Sequence, residues 1–218
     1  MNRVDRNGKE WEIETIKDKT GTNVNIKITG VLLNLSNETF DMEALNKSIK
    51  EQLEFTYSFQ INGFSLNLTA DIRLVESIND IIITDHVFMV VDQSNFEKGV
   101  LAKSLGYGIS IGTILAAQTI SGENQRSVAH ELGHSGGLHD VNLNKNDLKI
   151  YDPARNLMTQ IIALPKNIDK NVAILLEREQ INRLIYNYNN KSDDMSPYFH
   201  MKFRTGIILK ALNNKKIK

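Results

Sequence analysis

Apolar residues alternate from Val24 to Leu35 (Val24, Ile26, Ile28, then Val31, Leu32 and Leu33), which predicts a strand. A polar break at Asn37 to Thr39 follows, and the period then changes. Phe40, Leu45, Ile49 and Leu53 fall on one side of a helix over Phe40 to Phe55, with Lys and Glu on the other. Beyond Gly63 the alternation returns through Phe64, Leu66, Leu68, Ala70, Ile72 and Leu74, predicting a half-buried strand over Phe64 to Val75. Ile81 to Val91 predicts a third strand, centred on His86 to Val91. The apolar, glycine-interrupted stretch Gly99 to Ile120 predicts two more, Gly108–Ile111 and Ile114–Ile120. Ser121 then serves as N-cap of a helix from about Glu123 to Ser135. Val172, Leu175, Leu176, Ile181, Leu184 and Ile185 predict a final helix over Asn171 to Asn187.

This order predicts an α+β fold. One mixed, twisted sheet is formed by everything up to the second helix and is covered by two helices, one of them backing the sheet. A small C-terminal lobe follows Asp140, and a cleft lies between the two parts. Residues 1–22 read as a charged N-terminal extension whose core contacts are Trp11 and Ile13. Residues 23–190 read as one domain, with an upper lobe to about 137 and a lower lobe from 138. Residues 191–218 read as a basic C-terminal extension broken by Pro197.

Composition narrows the function classes. The chain has 218 residues, of which 41% are hydrophobic, enough for a substantial core. Its formal net charge of +0 points to neither nucleic acid nor an anionic membrane as partner. The absence of Cys excludes disulfides, thiolate zinc sites and a cysteine-based latency switch. No run approaches the ~20 apolar residues of a transmembrane helix. Met1 to Thr20 is polar and lacks the apolar segment of a signal peptide. The expectation is therefore a protein that stays inside the cell, leaves by a non-classical route, or is part of a longer chain that carries the signal.

The chemistry is concentrated in His130-Glu131-Leu132-Gly133-His134-Ser135-Gly136-Gly137-Leu138-His139-Asp140. His130 and His134, four apart on a helix, present two imidazoles on one face at a spacing suited to zinc. Glu131, beside the first His, can take a proton from water at the metal's open position. Gly136 and Gly137 can end the helix in a left-handed turn, and two metal-competent side chains follow. Asp140 as third ligand gives a site of two His and one carboxylate. The rival has Gly136 making the turn and His139 binding, with the other residue as an outer hydrogen-bond partner. Gly106 to Ser110 is a candidate edge strand to which an extended peptide could pair. His86 and His200 lack ligand spacing and read as core or surface residues.

From His130 through Gly137 the sequence resembles the metzincin zinc proteases, whose pattern is HExxHxxGxxH. Asp140 stands where their last His falls, as it does in the metzincin-like snapalysins. Asn156-Leu157-Met158 is similar in placement to the metzincin Met-turn, with Met158 as an apolar floor beneath the metal and Thr159 to Ile162 as a pocket wall. The resemblance implies a metzincin-like α+β fold. It implies a monomeric zinc-dependent endopeptidase acting on a protein or peptide substrate, with His130, His134 and Asp140 holding Zn2+ and Glu131 as general base. In a looser resemblance, Val4 to Trp11 looks like the junction after a bacterial Rhs-repeat core, and Ile61 to Phe64 through Leu68 to Arg73 is similar to the C-terminal protease-like domains of those toxins. That context implies delivery as an effector and an immunity protein or inhibitor as a partner. The alternative is a pseudo-protease of the same fold that acts as a binding module; intact Glu131 argues against it and Asp140 for it. An interaction domain with a chance motif is a third reading.

Overall fold

The computed structural model describes residues 11–82, 84–104, 108–141, 155–159 and 176–190. Among these residues are seven strands: β1 (Trp11–Lys17), β2 (Thr22–Asn34), β3 (Phe59–Ile61), β4 (Phe64–Leu74), β5 (His86–Val91), β6 (Ala102–Ser104) and β7 (Gly108–Gly112). Four helices accompany them: α1 (Met42–Thr56), α2 (Thr113–Ser121), α3 (Ser127–Ser135) and α4 (Arg178–Asn190). The α+β class expected from the sequence is the one observed.

The sheet runs β3-β4-β2-β5-β7-β6, with β1 beside β2. Pairing is parallel for β2–β4, β2–β5 and β5–β7, and antiparallel where β1, β3 and β6 attach. β2 organises it. One edge carries β4 from Thr22 to Leu32. The other carries β1 as far as Ile28 and then β5 from Gly30 onward. At this fork a Cβ on Gly30 would stand 2.5 Å from the His86 carbonyl oxygen, so only glycine allows the two strands to meet there.

Alternation along the strands sorts their side chains onto two faces. Ile26, Ile28, Leu32, Phe88 and Val90 face the main core with Leu45, Ile49 and Leu53 of α1, Leu115 of α2 and Val128 and Leu132 of α3. Val31, Leu33, Val87, Met89 and Val91 form a smaller cluster with Ile78, Ile81 and Phe96 nearby. The helices thus share one face of the sheet, as the α+β class requires.

Several elements differ from expectation. Ile114–Ile120, expected as a strand, lies within α2. Its apolar residues show neither period clearly, and Ala116, Ala117 and Gln118 are good helix formers. Gly122, at φ 77°, caps α2. Ser121 therefore ends one helix and does not start the next, and α3 begins at Ser127. Up to the end of α3, three helices, not two, therefore lie against that face. The expected edge role of Gly106 to Ser110 is also corrected: β7 lies inside the sheet between β5 and β6, and β6 takes the edge. Residues 11–17 of the expected N-terminal extension form β1, and Trp11 is buried edge-on to Tyr57 at 6.4 Å between ring centroids. His86 is a core residue tilted against Phe88. Residues 171–175 of the expected final helix, His200, the tail, and Gly106 and Tyr107 lie outside the described residues.

Candidate metal centre

Helix α3 is fixed to the domain before it presents any side chain. Its first N–H groups have no partner within the helix. Asn124 Oδ1 takes the N–H of Ser127 at 3.1 Å, and Gln52 Oε1 of α1 takes that of Ala129 at 3.3 Å. Tyr57, just after α1, donates its hydroxyl to the Ala129 carbonyl at 2.8 Å. Burial pushes the pKa of that phenol up, so it remains a donor.

The other end of α3 is set by glycine. Gly137 N–H bonds the His134 carbonyl and Leu138 N–H bonds that of Gly133, both at 2.9 Å. This is a Schellman closure, and it needs a left-handed residue at Gly137, where φ is 82°. Gly136, at φ −76°, does not make the turn. Asn187 of α4 holds the closed turn by donating to the Gly136 carbonyl at 3.1 Å. The chain then doubles back and returns Asp140 to the helix.

The result is a convergence of three donors. His130 Nε2 and His134 Nε2 lie 3.3 and 3.4 Å from Asp140 Oδ1, and the ligand atoms of the three residues all lie within 4.8 Å of one another. Charge-assisted hydrogen bonds run shorter, about 2.7–2.9 Å. Ligands about 2.0–2.1 Å from a tetrahedral ion stand about 3.3 Å apart. The imidazoles are oriented for the same purpose. His130 Nδ1 is 2.8 Å from the Leu157 carbonyl and His134 Nδ1 is 2.9 Å from that of Leu138. A carbonyl can only accept, so Nδ1 carries the proton in each and Nε2 keeps its lone pair. His139 is exposed and lies outside the cluster.

The electrostatics favour a cation. Burial draws the His134 pKa down. The Asp140 carboxylate, the Leu138 carbonyl and Glu131 outweigh it, and the net direction is up from the ordinary value. The donor set therefore fits a divalent ion of the zinc kind.

Glu131 is half-buried, and its Oε2 accepts the Ser104 N–H of the edge strand β6 at 2.6 Å. The Ser104 and Ser135 hydroxyls meet at 3.1 Å and reinforce the contact. Met158 is fully buried beneath the helix. A Cβ on Gly133 would come within 2.5 Å of its sulfur and 3.2 Å of the Tyr57 hydroxyl. Gly133→Ala should therefore reverse the usual helix gain of about 0.8–1.0 kcal/mol. Overpacking gives an expected net loss of about 1–3 kcal/mol, read as a lower midpoint in denaturant unfolding. Residues 160–162 of the expected pocket wall lie outside the described residues.

Sequence reasoning missed the residues that hold the donors. Arg126 is buried and donates to the Leu157 and Thr159 carbonyls. Asn156 and Gln180 form a buried reciprocal amide pair at 2.9 and 3.1 Å. A signal existed for Arg126: it stands four residues before His130 and eight before His134, on one helical face.

No family model matches the sequence, and no curated protein matches it. Among solved structures, the archaemetzincin of Methanopyrus kandleri is similar to this chain at 10% identity and a TM-score of 0.46, covering 86% of this chain and 100% of that one.

Proposed function

We propose that the chain is a metzincin-like zinc-dependent endopeptidase, with His130, His134 and Asp140 as ligands and Glu131 as general base. The supporting observation is the convergence of His130 Nε2, His134 Nε2 and Asp140 Oδ1 at tetrahedral spacing, with both Nδ1 protons committed to backbone carbonyls. Zinc held there supplies a Lewis acid for the scissile carbonyl and makes water more acidic. Glu131 takes the proton of the attacking water and passes it to the leaving nitrogen. The Ser104 N–H holds that carboxylate in place. Among the described residues β6 is the last strand at its end of the sheet, and an extended substrate adds beside it. Met158 is the apolar floor under the ligand helix.

Action as a monomer, delivery as an effector and restraint by an immunity protein belong to the same proposal, and their support is the sequence resemblance. No helix among the described residues is long and apolar enough to cross a membrane.

Metal removal tests the reading. Protein loaded with zinc is expected to cleave an unfolded protein substrate, to lose cleavage when a chelator strips the ion, and to regain it when zinc is restored. Cleavage that persists in metal-free protein would sink the proposal.

A further inference from the structure

Arg126 is 1% exposed, the largest fully buried side chain among the described residues. It stands just before α3, where the positive end of the helix disfavours a cation and burial disfavours any charge. Burial draws its pKa down to about 10, against the opposing attraction of Asp140, so the guanidinium is charged at neutral pH. An apolar side chain of similar volume would fill the space without that penalty. Its role therefore lies in what its guanidinium holds.

The guanidinium closes on one short segment. Arg126 Nη2 donates both of its N–H bonds, one to the Leu157 carbonyl and one, at 2.7 Å, to the Thr159 carbonyl. The Leu157 carbonyl also accepts the Nδ1–H of His130 at 2.8 Å. Between them, the Met158 carbonyl accepts the N–H of Val141, the residue after Asp140, at 2.9 Å. Two of the three converging donors are thus set by carbonyls of Leu157–Thr159, and Arg126 grips that segment at both ends. The third, His134, takes its orientation from Leu138.

We infer that Arg126 is a positioning residue for the metal centre, locking the Leu157–Thr159 segment that orients His130 and returns Asp140. This rests on the zinc-site reading above. Lysine is a poor substitute, because its ammonium turns freely on a flexible stem, whereas the planar guanidinium fixes the directions of the two Nη2 N–H bonds that meet the two carbonyls.

The test uses the full chain as wild type, Arg126→Lys and Arg126→Met. Zinc affinity is read by competition with a chromophoric chelator, coordination by the visible spectrum of the cobalt-loaded protein, and folding by thermal melts of the metal-free forms. Arg126→Lys is expected to fold, to bind zinc about 10–100-fold more weakly, and to shift the cobalt bands; Arg126→Met is expected to be at least as weak. A folded Arg126→Lys with wild-type zinc affinity and cobalt spectrum overturns the inference alone. A wild type that takes up neither metal overturns the zinc reading and the inference together. The wild type gives a check that needs no substitution. Metal-free protein is expected to show a His130 proton on Nδ1 that is slow to exchange by NMR, and a ring without a proton on Nδ1 overturns the inference.

Discussion

Glu131→Gln is expected to lower kcat by about 10²–10⁴-fold while leaving zinc content unchanged. That factor corresponds to about 3–5 kcal/mol of barrier. The substitution separates two roles of one side chain. A Gln carbonyl oxygen can still accept the Ser104 N–H that the Glu131 carboxylate takes at 2.6 Å, so the contact between α3 and β6 is kept. The amide cannot accept a proton from water. Glu131→Ala removes both roles and is expected to lose at least as much activity, with some stability besides. Steady-state cleavage of an unfolded protein, with metal content measured on the same samples, checks both. If Glu131→Gln keeps more than a tenth of wild-type kcat, Glu131 is not the base, and its bond to the edge strand is its main contribution.

Asp140→Ala is expected to weaken zinc binding by more than about 100-fold, beyond what loss of an outer partner costs, and His139→Ala to leave it within about twofold. The contrast comes from the turn. Gly137 is the left-handed residue and Gly136 is not. With the turn at Gly137, Asp140 Oδ1 comes to 3.3 and 3.4 Å from the two Nε2 atoms, while the neighbouring His139 stays exposed. Zinc titration against a competing chelator decides between them. The reverse ranking would return the ligand role to His139 and would mean that the metal remakes the turn.

The parts of the fold legible in the sequence are those where one face is wet. β4 alternates cleanly because one of its faces meets the core and the other meets solvent. The buried side of α1 repeats at helical spacing through Leu45, Ile49 and Leu53. Where apolar residues do not keep to one face, the pattern loses its period. α2 is the example, and its strand-like Ile114, Leu115 and Ile120 masked a helix. β1 was hidden for the opposite reason. Most of its side chains are exposed, and the strand is held by backbone pairing with β2, which sequence pattern does not record. The site divides similarly. Its side-chain donors follow from local spacing on one helix and one turn. Their supports are backbone carbonyls at Leu138 and Leu157 and an arginine whose partners lie 31 and 33 residues away, and such contacts exist only after the chain has folded.

The hub position of β2 carries a cost in time. Its partner β4 lies 42 residues on at the Asn23–Ser65 pair, and β5 lies farther still. Both pairings are parallel, so neither can grow from a hairpin, and each must wait for a long loop to close. The antiparallel ladder of β1 onto Thr22–Ile28 is the one local route to ordering β2. A chain lacking Trp11–Lys17 would have to assemble its sheet without that early template. It would then spend longer with the continuously apolar β5 unpaired, which is the condition under which such strands aggregate.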